Sequence, residues 1–318
     1  MRDTALAPES AADLALRQEI SSGLQQACPV ISPKFLYDDM GSRLFEAICL
    51  LPEYYLTRTE ARIFSRHQDE ILSALGQDIC LIEPGAGSCE KAQKLLQAGL
   101  AAWQYVALDI SADFLQQAAS RLRQHFPQLE VMAHSMDFSR EFELPAQAQT
   151  ARRVFFYPGS SIGNFMPEQA VDLMGRMRDA MDEDGGLLIG VDMKKPKRIL
   201  DAAYDDAMGL TAAFNLNLLR NVNRILEADF DLREWQHQGF YNVAQGRVEM
   251  HLAAKHELLA QWPGGARRFE RGESIHTENS YKYTLDEFAA LLKRASFAVK
   301  QVWQDEDAWF SVIYAKPV

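Results

Sequence analysis

Between residues 79 and 192 the chain alternates two apolar patterns. Short runs read as strands occupy Ile79 to Glu83, Tyr105 to Asp109, Leu129 to Ala133, Val154 to Tyr157 and Leu187 to Asp192. Between them Glu90 to Gly99, Ala112 to His125 and Glu168 to Met181 carry apolar residues at helical spacing. Strand and helix in turn predict a parallel α/β sheet. Ligands of such a sheet bind beyond the carboxyl ends of its strands. Glu83 to Gly87, Asp109, Asp137-Phe138 and Pro158 to Asn164 are therefore expected along one edge.

The flanks follow other patterns. Ala11 to Gln26 has helical spacing, and Lys34 to Arg66 reads as helices interrupted at Gly41 and at Leu51-Pro52-Glu53-Tyr54-Tyr55. Pro52 is expected to end the first helix near Leu50, and Thr57 or Thr59 to cap the next. Past Asp192, Arg198 to Leu226 reads as a long or broken helix. Phe240 to Ala244 and Arg247 to Lys255 alternate around Gln245-Gly246, a hairpin pattern. Ile275 to Tyr283 is a further strand, whose period of two puts Glu278 and Ser280 on one face. Leu285 to Arg294 is helical, and Phe297 to Gln304 with Trp309 to Ala315 is expected to complete the sheet as an antiparallel pair. The expected division is an N-terminal helical segment over 1–60, a core domain over 61–193 and 284–318, and an insertion over 194–283 acting as lid or second lobe.

Composition narrows the function classes. A chain of 318 residues, 47% hydrophobic, can bury a large core. Its formal net charge of -11 argues against nucleic acid as a partner. The brief basic run Lys194-Lys195-Pro196-Lys197-Arg198 reads as a solvated loop. Cys28, Cys49, Cys80 and Cys89 show no C-x-x-C pair and no zinc spacing, so reduced thiols and no metal are expected. Cys89 is expected only to line the turn in which it stands. Met1 to Ser10 lacks the apolar core of a secretory leader, and no stretch reads as a membrane span. These features predict a cytoplasmic protein with no membrane contact and no obligate protein partner.

The chemistry gathers at Leu81-Ile82-Glu83-Pro84-Gly85-Ala86-Gly87-Ser88-Cys89-Glu90-Lys91. A strand ends in an acid and a Gly-x-Gly turn, and a helix follows at once, an order that suits a nucleoside cofactor. A dinucleotide site wants a third small residue where Glu90 stands. S-adenosylmethionine has no phosphate and does not need that residue, and an acid near the turn suits its cationic part. Asp109 could accept from ribose hydroxyls of either cofactor. The glycines also fit an ordinary strand-to-helix turn, and alone they leave that reading open.

Several stretches together resemble one family, the histidine-specific N-alpha-methyltransferases of ergothioneine biosynthesis. They are Phe35-Leu36-Tyr37-Asp38-Asp39-Met40-Gly41-Ser42, Leu51-Pro52-Glu53-Tyr54-Tyr55-Leu56-Thr57-Arg58-Thr59-Glu60 and Gly159-Ser160-Ser161-Ile162-Gly163-Asn164, followed by Tyr204-Asp205-Asp206, Thr211-Ala212-Ala213-Phe214-Asn215, Arg247-Val248-Glu249-Met250 and Thr277-Glu278-Asn279-Ser280. They run in the family's order from about Ser32 onward. The resemblance implies a Rossmann-like, S-adenosylmethionine-dependent methyltransferase sheet of α/β class, with N-terminal helices and an α+β substrate-binding insertion. It implies trimethylation of the α-amine of L-histidine to hercynine, the first step of ergothioneine biosynthesis, with S-adenosylhomocysteine as the other product.

By the same resemblance Tyr37, Gly85, Lys91, Asp109, Asp137 and Phe138 would hold S-adenosylmethionine. Asn164 and Tyr204 would bind the substrate carboxylate. Tyr54, Glu278 and Ser280 would recognise the imidazole, Met250 would shape that pocket, and the Gly159 carbonyl and Ser161 hydroxyl would lie near the amine. The chain departs from the family pattern at Pro84, usually small or apolar, and at Ser161, often threonine; the hydroxyl is kept. Methyl transfer from a sulfonium asks mainly for positioning and desolvation of a neutral amine. Taken singly, Glu278 also reads as a solvated strand carboxylate, Tyr204 as a packed helix aromatic and Asn164 as a helix cap. Two rival functions stand beside the first: methylation of another aromatic amino acid such as tryptophan, and a noncatalytic S-adenosylmethionine-binding regulatory protein.

Overall fold

The computed structural model describes residues 11–138, 142–149 and 152–318; Met1 to Ser10, read above for a leader, lie outside them. The chain opens with helices α1 (Ala11–Leu24), α2 (Asp39–Ile48), α3 (Tyr55–Arg66) and α4 (Gln68–Leu75). Strands and helices then alternate as β1 (Ile79–Pro84), α5 (Glu90–Gln97), β2 (Ala102–Asp109), α6 (Ala112–His125) and β3 (Glu130–Ser135). The series continues through β4 (Arg152–Tyr157), α7 (Pro167–Asp179) and β5 (Gly186–Asp192). Helices α8 (Lys197–Tyr204) and α9 (Leu210–Leu226) follow, then strands β6 (Trp235–Asn242), β7 (Arg247–Ala254), β8 (Leu258–Trp262), β9 (Gly265–Phe269) and β10 (Ser274–Tyr281). The last elements are α10 (Leu285–Arg294), β11 (Phe297–Gln304) and β12 (Phe310–Pro317). Among the described residues no helix is long and apolar enough to cross a membrane.

The contacts gather the chain into two units. The first holds the described residues through Ile48, with Tyr204–Phe240 and Glu249–Glu278; the second holds Cys49–Ala203, Tyr241–Val248 and Asn279–Val318.

The second unit is built on a seven-stranded sheet in the order β11-β12-β5-β4-β1-β2-β3. Every residue of β1 and β5 is buried, as expected of central strands covered on both faces. Strands β1 to β5 run parallel, and β12 joins β5 antiparallel with β11 outside it, the expected closing pair. Ile82, Phe155, Tyr157, Leu187 and Ile189 pack with Leu173, Met174 and Met177 of α7 and Phe288 and Leu292 of α10 in one core. Strand order reverses between β1 and β4, which opens a crevice at their carboxyl ends.

Helix α3 starts earlier than its threonines suggested. Tyr54 is its N-cap residue, no side chain caps it, and Thr57 and Thr59 lie inside it.

In the first unit α9 packs against α1 and α2. Gly41 does not interrupt a helix as expected; it lies within α2. A Cβ there would fall 1.7 Å from the Leu36 carbonyl oxygen, so close packing and not a break requires glycine. The turn falls instead at Tyr37 and Asp38, and the Asp38 carboxylate accepts from the Gly41 N–H (2.8 Å). Of the two readings of 198–226, long or broken, the structure shows the broken one: α8 ends at Tyr204, and Asp206 accepts from the Leu210 and Thr211 N–H groups (3.0 and 2.7 Å) at the start of α9. A three-stranded sheet has the order β10-β7-β6. Its strand β6 begins at Trp235, earlier than the pattern suggested, and alternates buried with more exposed residues. The hairpin β8-β9 was not anticipated, although Pro263-Gly264 between two apolar-ended runs is a turn signal.

Candidate active site

The crevice of the second unit is bordered by the segments after β1 and β4. After β1, Gly85 (φ +70°) and Gly87 (φ +51°) take left-handed geometry. The N–H groups of Gly85 and Ala86 both donate to the Leu108 carbonyl (2.7 and 3.0 Å), which ties the turn to the end of β2. Gly87 N–H donates to Asp109 Oδ2 (3.0 Å), and Ser111 N–H to Oδ1 (2.9 Å). Asp109 is thus fixed by backbone donors and keeps lone pairs for further donors. Met136 N–H bonds the Asp109 carbonyl (3.0 Å), so the segment carrying Asp137 and Phe138 starts from the same point. The Phe138 ring stands 3.7 Å from where a Gly85 Cβ would be, edge-on to Tyr157 (6.2 Å). A Cβ at Gly87 would meet no described atom within 4 Å.

Main chain accessible at Gly87, beside a held carboxylate at the end of β2, fits a nucleoside with ribose hydroxyls. Glu90, exposed in the first turn of α5, puts a negative charge where a pyrophosphate would need positive potential. The residues present therefore fit S-adenosylmethionine and not a dinucleotide.

Two expectations at this turn change. Glu83 does not offer a negative charge at neutral pH: burial pushes its carboxyl up to about 8, only partly offset by the Tyr105 hydroxyl and Lys91. Cys89 is buried and not a lining residue, and burial pushes its thiol up to about 12.

After β4, Gly159 (φ +80°) and Ser160 (φ +60°) are also left-handed, and a 3₁₀ turn, Ser161–Asn164, follows. Gly159 N–H donates to Glu60 Oε1 (2.6 Å), and Lys91 Nζ donates to Glu60 Oε2 (2.7 Å). Ser161 Oγ donates to the Pro158 carbonyl (3.2 Å). A Cβ at Gly163 would lie 2.9 Å from the Tyr281 carbonyl oxygen and 3.6 Å from Ser280 Oγ, so this turn packs against the end of β10. The structure thereby joins Gly85, Lys91, Asp109 and Phe138 at one border with Gly159, Ser161, Asn164 and Ser280 at the other, Lys91 linking them through Glu60. Asp137 precedes Phe138, and Tyr54, buried before α3, gives its carbonyl to Arg58 (3.1 Å).

A buried ionic group lies under the same edge. Asp192 accepts from Tyr55 Oη (2.6 Å), Lys195 Nζ (2.5 Å) and Lys282 Nζ (2.7 Å). Burial alone would raise the Asp192 carboxyl, yet the Lys282 and Lys195 ammonium groups hold it below the usual range. Lys195 is not in a solvated loop as its basic run suggested: its side chain is 1% exposed. Lys282 Nζ also donates to Ser280 Oγ (2.8 Å).

In the first unit the Tyr37 ring stands edge-on to Phe45 (5.6 Å) and Phe214 (5.5 Å). Tyr204 ends α8 and its carbonyl accepts from His237 Nε2 (2.8 Å). Asn215 Nδ2 donates to His237 Nδ1 (2.9 Å), which fixes that tautomer, and burial lowers the imidazole pKa, favouring the neutral ring. Met250 is buried and its carbonyl accepts from Thr277 Oγ1 (3.0 Å). Glu278 is buried, against the solvated alternative. Sequence reasoning missed Glu60, Asp192, Lys282 and His237 as structural partners. Only Glu60 carried a signal, as the last residue of its motif.

A family model described as "Histidine-specific methyltransferase, SAM-dependent" matches residues 16–317. The chain is 37% identical over 316 residues to a histidine N-alpha-methyltransferase of Mycolicibacterium smegmatis, covering 98% of this chain and 97% of that one. It is 36% identical over 313 residues to the protein of that name from Mycobacterium tuberculosis, covering 96% of each. Ergothioneine biosynthesis protein 1 of Neurospora crassa is 29% identical over 309 residues, covering 92% of this chain and 34% of the fungal protein.

Proposed function

Because the chain belongs to the family of histidine-specific, S-adenosylmethionine-dependent methyltransferases, we propose that it methylates the α-amine of L-histidine three times, giving hercynine, the first step of ergothioneine biosynthesis. The observation that carries this reading is the near full-length match to two relatives named histidine N-alpha-methyltransferase.

When bound, S-adenosylmethionine supplies an electrophilic methyl on a sulfonium. Gly85, Asp109, Asp137, Phe138 and Lys91 hold it: the bare main chain at Gly85 and Gly87 admits close approach, and Asp109 accepts from ribose hydroxyls. The Gly159 carbonyl accepts from the substrate amine and the Ser161 hydroxyl orients it. These are uncharged groups; a carboxylate in their place would favour the protonated, unreactive amine. Asn164 takes the substrate carboxylate as an uncharged donor. Tyr54 and Ser280 meet the imidazole. Roles for Tyr37 and Asp137 toward the donor, Tyr204 toward the carboxylate, and Tyr54, Glu278 and Met250 toward the imidazole are proposed on the resemblance alone. A site built to bond an imidazole N–H rejects analogues that cannot reciprocate by up to about four or five powers of ten.

Thermal-shift screening of amino acids in the presence of S-adenosylhomocysteine tests this reading, since binding to the native state raises apparent stability. Histidine is expected to raise Tm above the value with S-adenosylhomocysteine alone. A shift with tryptophan and none with histidine would transfer the proposal to the rival substrate.

A further inference from the structure

We infer that Glu60 is the positioning residue that couples the donor-binding lysine to the peptide facing the substrate amine; this rests on the functional reading above. Glu60 stands on α3 with its side chain 2% exposed. Its two oxygens serve two different partners, Oε1 the Gly159 N–H (2.6 Å) and Oε2 the Lys91 ammonium (2.7 Å). The backbone makes room for this arrangement at two places. A Cβ at Gly190 would lie 2.3 Å from Glu60 Oε1, and one at Gly159 would lie 2.7 Å from Lys91 Nζ.

The N–H that Glu60 holds belongs to the Pro158–Gly159 peptide, whose carbonyl accepts from Ser161 Oγ (3.2 Å). A trans peptide sends its N–H and C=O in opposite directions. Lys91, Glu60, one peptide plane and the Ser161 hydroxyl thus form a continuous hydrogen-bonded chain, in which each bond polarises the next. The first member belongs to the donor side and the last to the amine side. Fixing that peptide plane also fixes where the left-handed Gly159 sends its own carbonyl. Replacing the carboxylate by an amide keeps the size but leaves an NH₂ facing either the Lys91 ammonium or the Gly159 N–H, both of which only donate.

The test is calorimetric titration of S-adenosylhomocysteine into the wild-type protein, Glu60→Gln, Lys91→Met and the double variant. A charge-assisted bond to Lys91 predicts a loss of about tenfold to a hundredfold in each single variant. The double variant should be within about threefold of Lys91→Met, since contacting residues are not additive. Kinetics at saturating donor should show kcat lowered in Glu60→Gln as well, because the amine-facing peptide is released. Additive losses, or wild-type affinity in Glu60→Gln, overturn the coupling. If Glu60→Gln does not fold, Lys91→Met decides: coupling predicts at least a fivefold fall in kcat at saturating donor, and an unchanged kcat overturns it. Wild-type protein that binds S-adenosylhomocysteine but leaves histidine unmethylated would sink the functional reading instead, whatever the variants do.

Discussion

Substituting Gly87 by alanine separates the conformational role of the first turn from its role as a ligand surface. Gly87 has φ +51°, and an added Cβ meets no described atom within 4 Å. The folded state therefore loses only what an L side chain costs in the left-handed region, roughly 1–2 kcal/mol. For a chain of this size that lowers Tm by only a few degrees. A donor lying against the main chain would meet the methyl directly, and displacement of about an ångström breaks its contacts, so affinity for S-adenosylhomocysteine should fall at least about tenfold. Gly264→Ala is the matched control: φ is +84°, again with no described atom within 4 Å, and it lies in the β8-β9 turn. Thermal melts should show similar small losses for both variants, and calorimetry a large affinity loss for Gly87→Ala alone. Equal affinities in the two variants would refute the claim that the donor lies against Gly87.

Two further outcomes follow from the buried ionisable groups and a third from the proposed imidazole site. Glu83 has a folded-state pKa raised from 4.5 to about 8, so the native state binds the extra proton and stability falls as pH rises through that window, by about 5 kcal/mol at about 1.4 kcal/mol per unit. Glu83→Gln should therefore gain stability over the wild type in urea melts at pH 9 and little at pH 4; equal differences at both pH values contradict the buried neutral acid. Asp192→Asn leaves the Lys195 and Lys282 ammonium groups without their shared buried carboxylate and should lose roughly 3–5 kcal/mol by urea unfolding, with a loss below about 1 kcal/mol counting against it. Glu278→Ala should weaken histidine binding about tenfold or more while S-adenosylhomocysteine affinity stays within about threefold; comparable losses in both titrations would remove the imidazole role.

The parallel sheet was legible because its central strands, β1 and β5 above all, are buried on both faces and read as short apolar runs, and α6 and α10 match their predicted bounds. The errors fall where tertiary contact overrides a local signal. Gly41 looked like a breaker, but its glycine answers the Leu36 carbonyl that presses on α2. Lys195 looked solvated because charge runs usually are, and only its distant partner Tyr55 and the Asp192 carboxylate that it shares with Lys282 show why it is buried. Glu83 read as a charged acid beside a cofactor turn, since no local pattern reveals that Tyr105 covers it. In the site, the glycine turn and Asp109 were readable from strand-turn-helix order. The role of Glu60 was not: its place in a motif marked the residue, but its partners Lys91 and Gly159 lie 31 and 99 residues away.

Mass spectrometry of L-histidine incubated with the protein and S-adenosylmethionine carrying deuterated methyl groups tests the central claim most directly. Mono-, di- and trimethylated histidine should form in succession, each label on the α-nitrogen, with one S-adenosylhomocysteine released per methyl. Histidine left unlabelled while another amine takes the methyl group would contradict it.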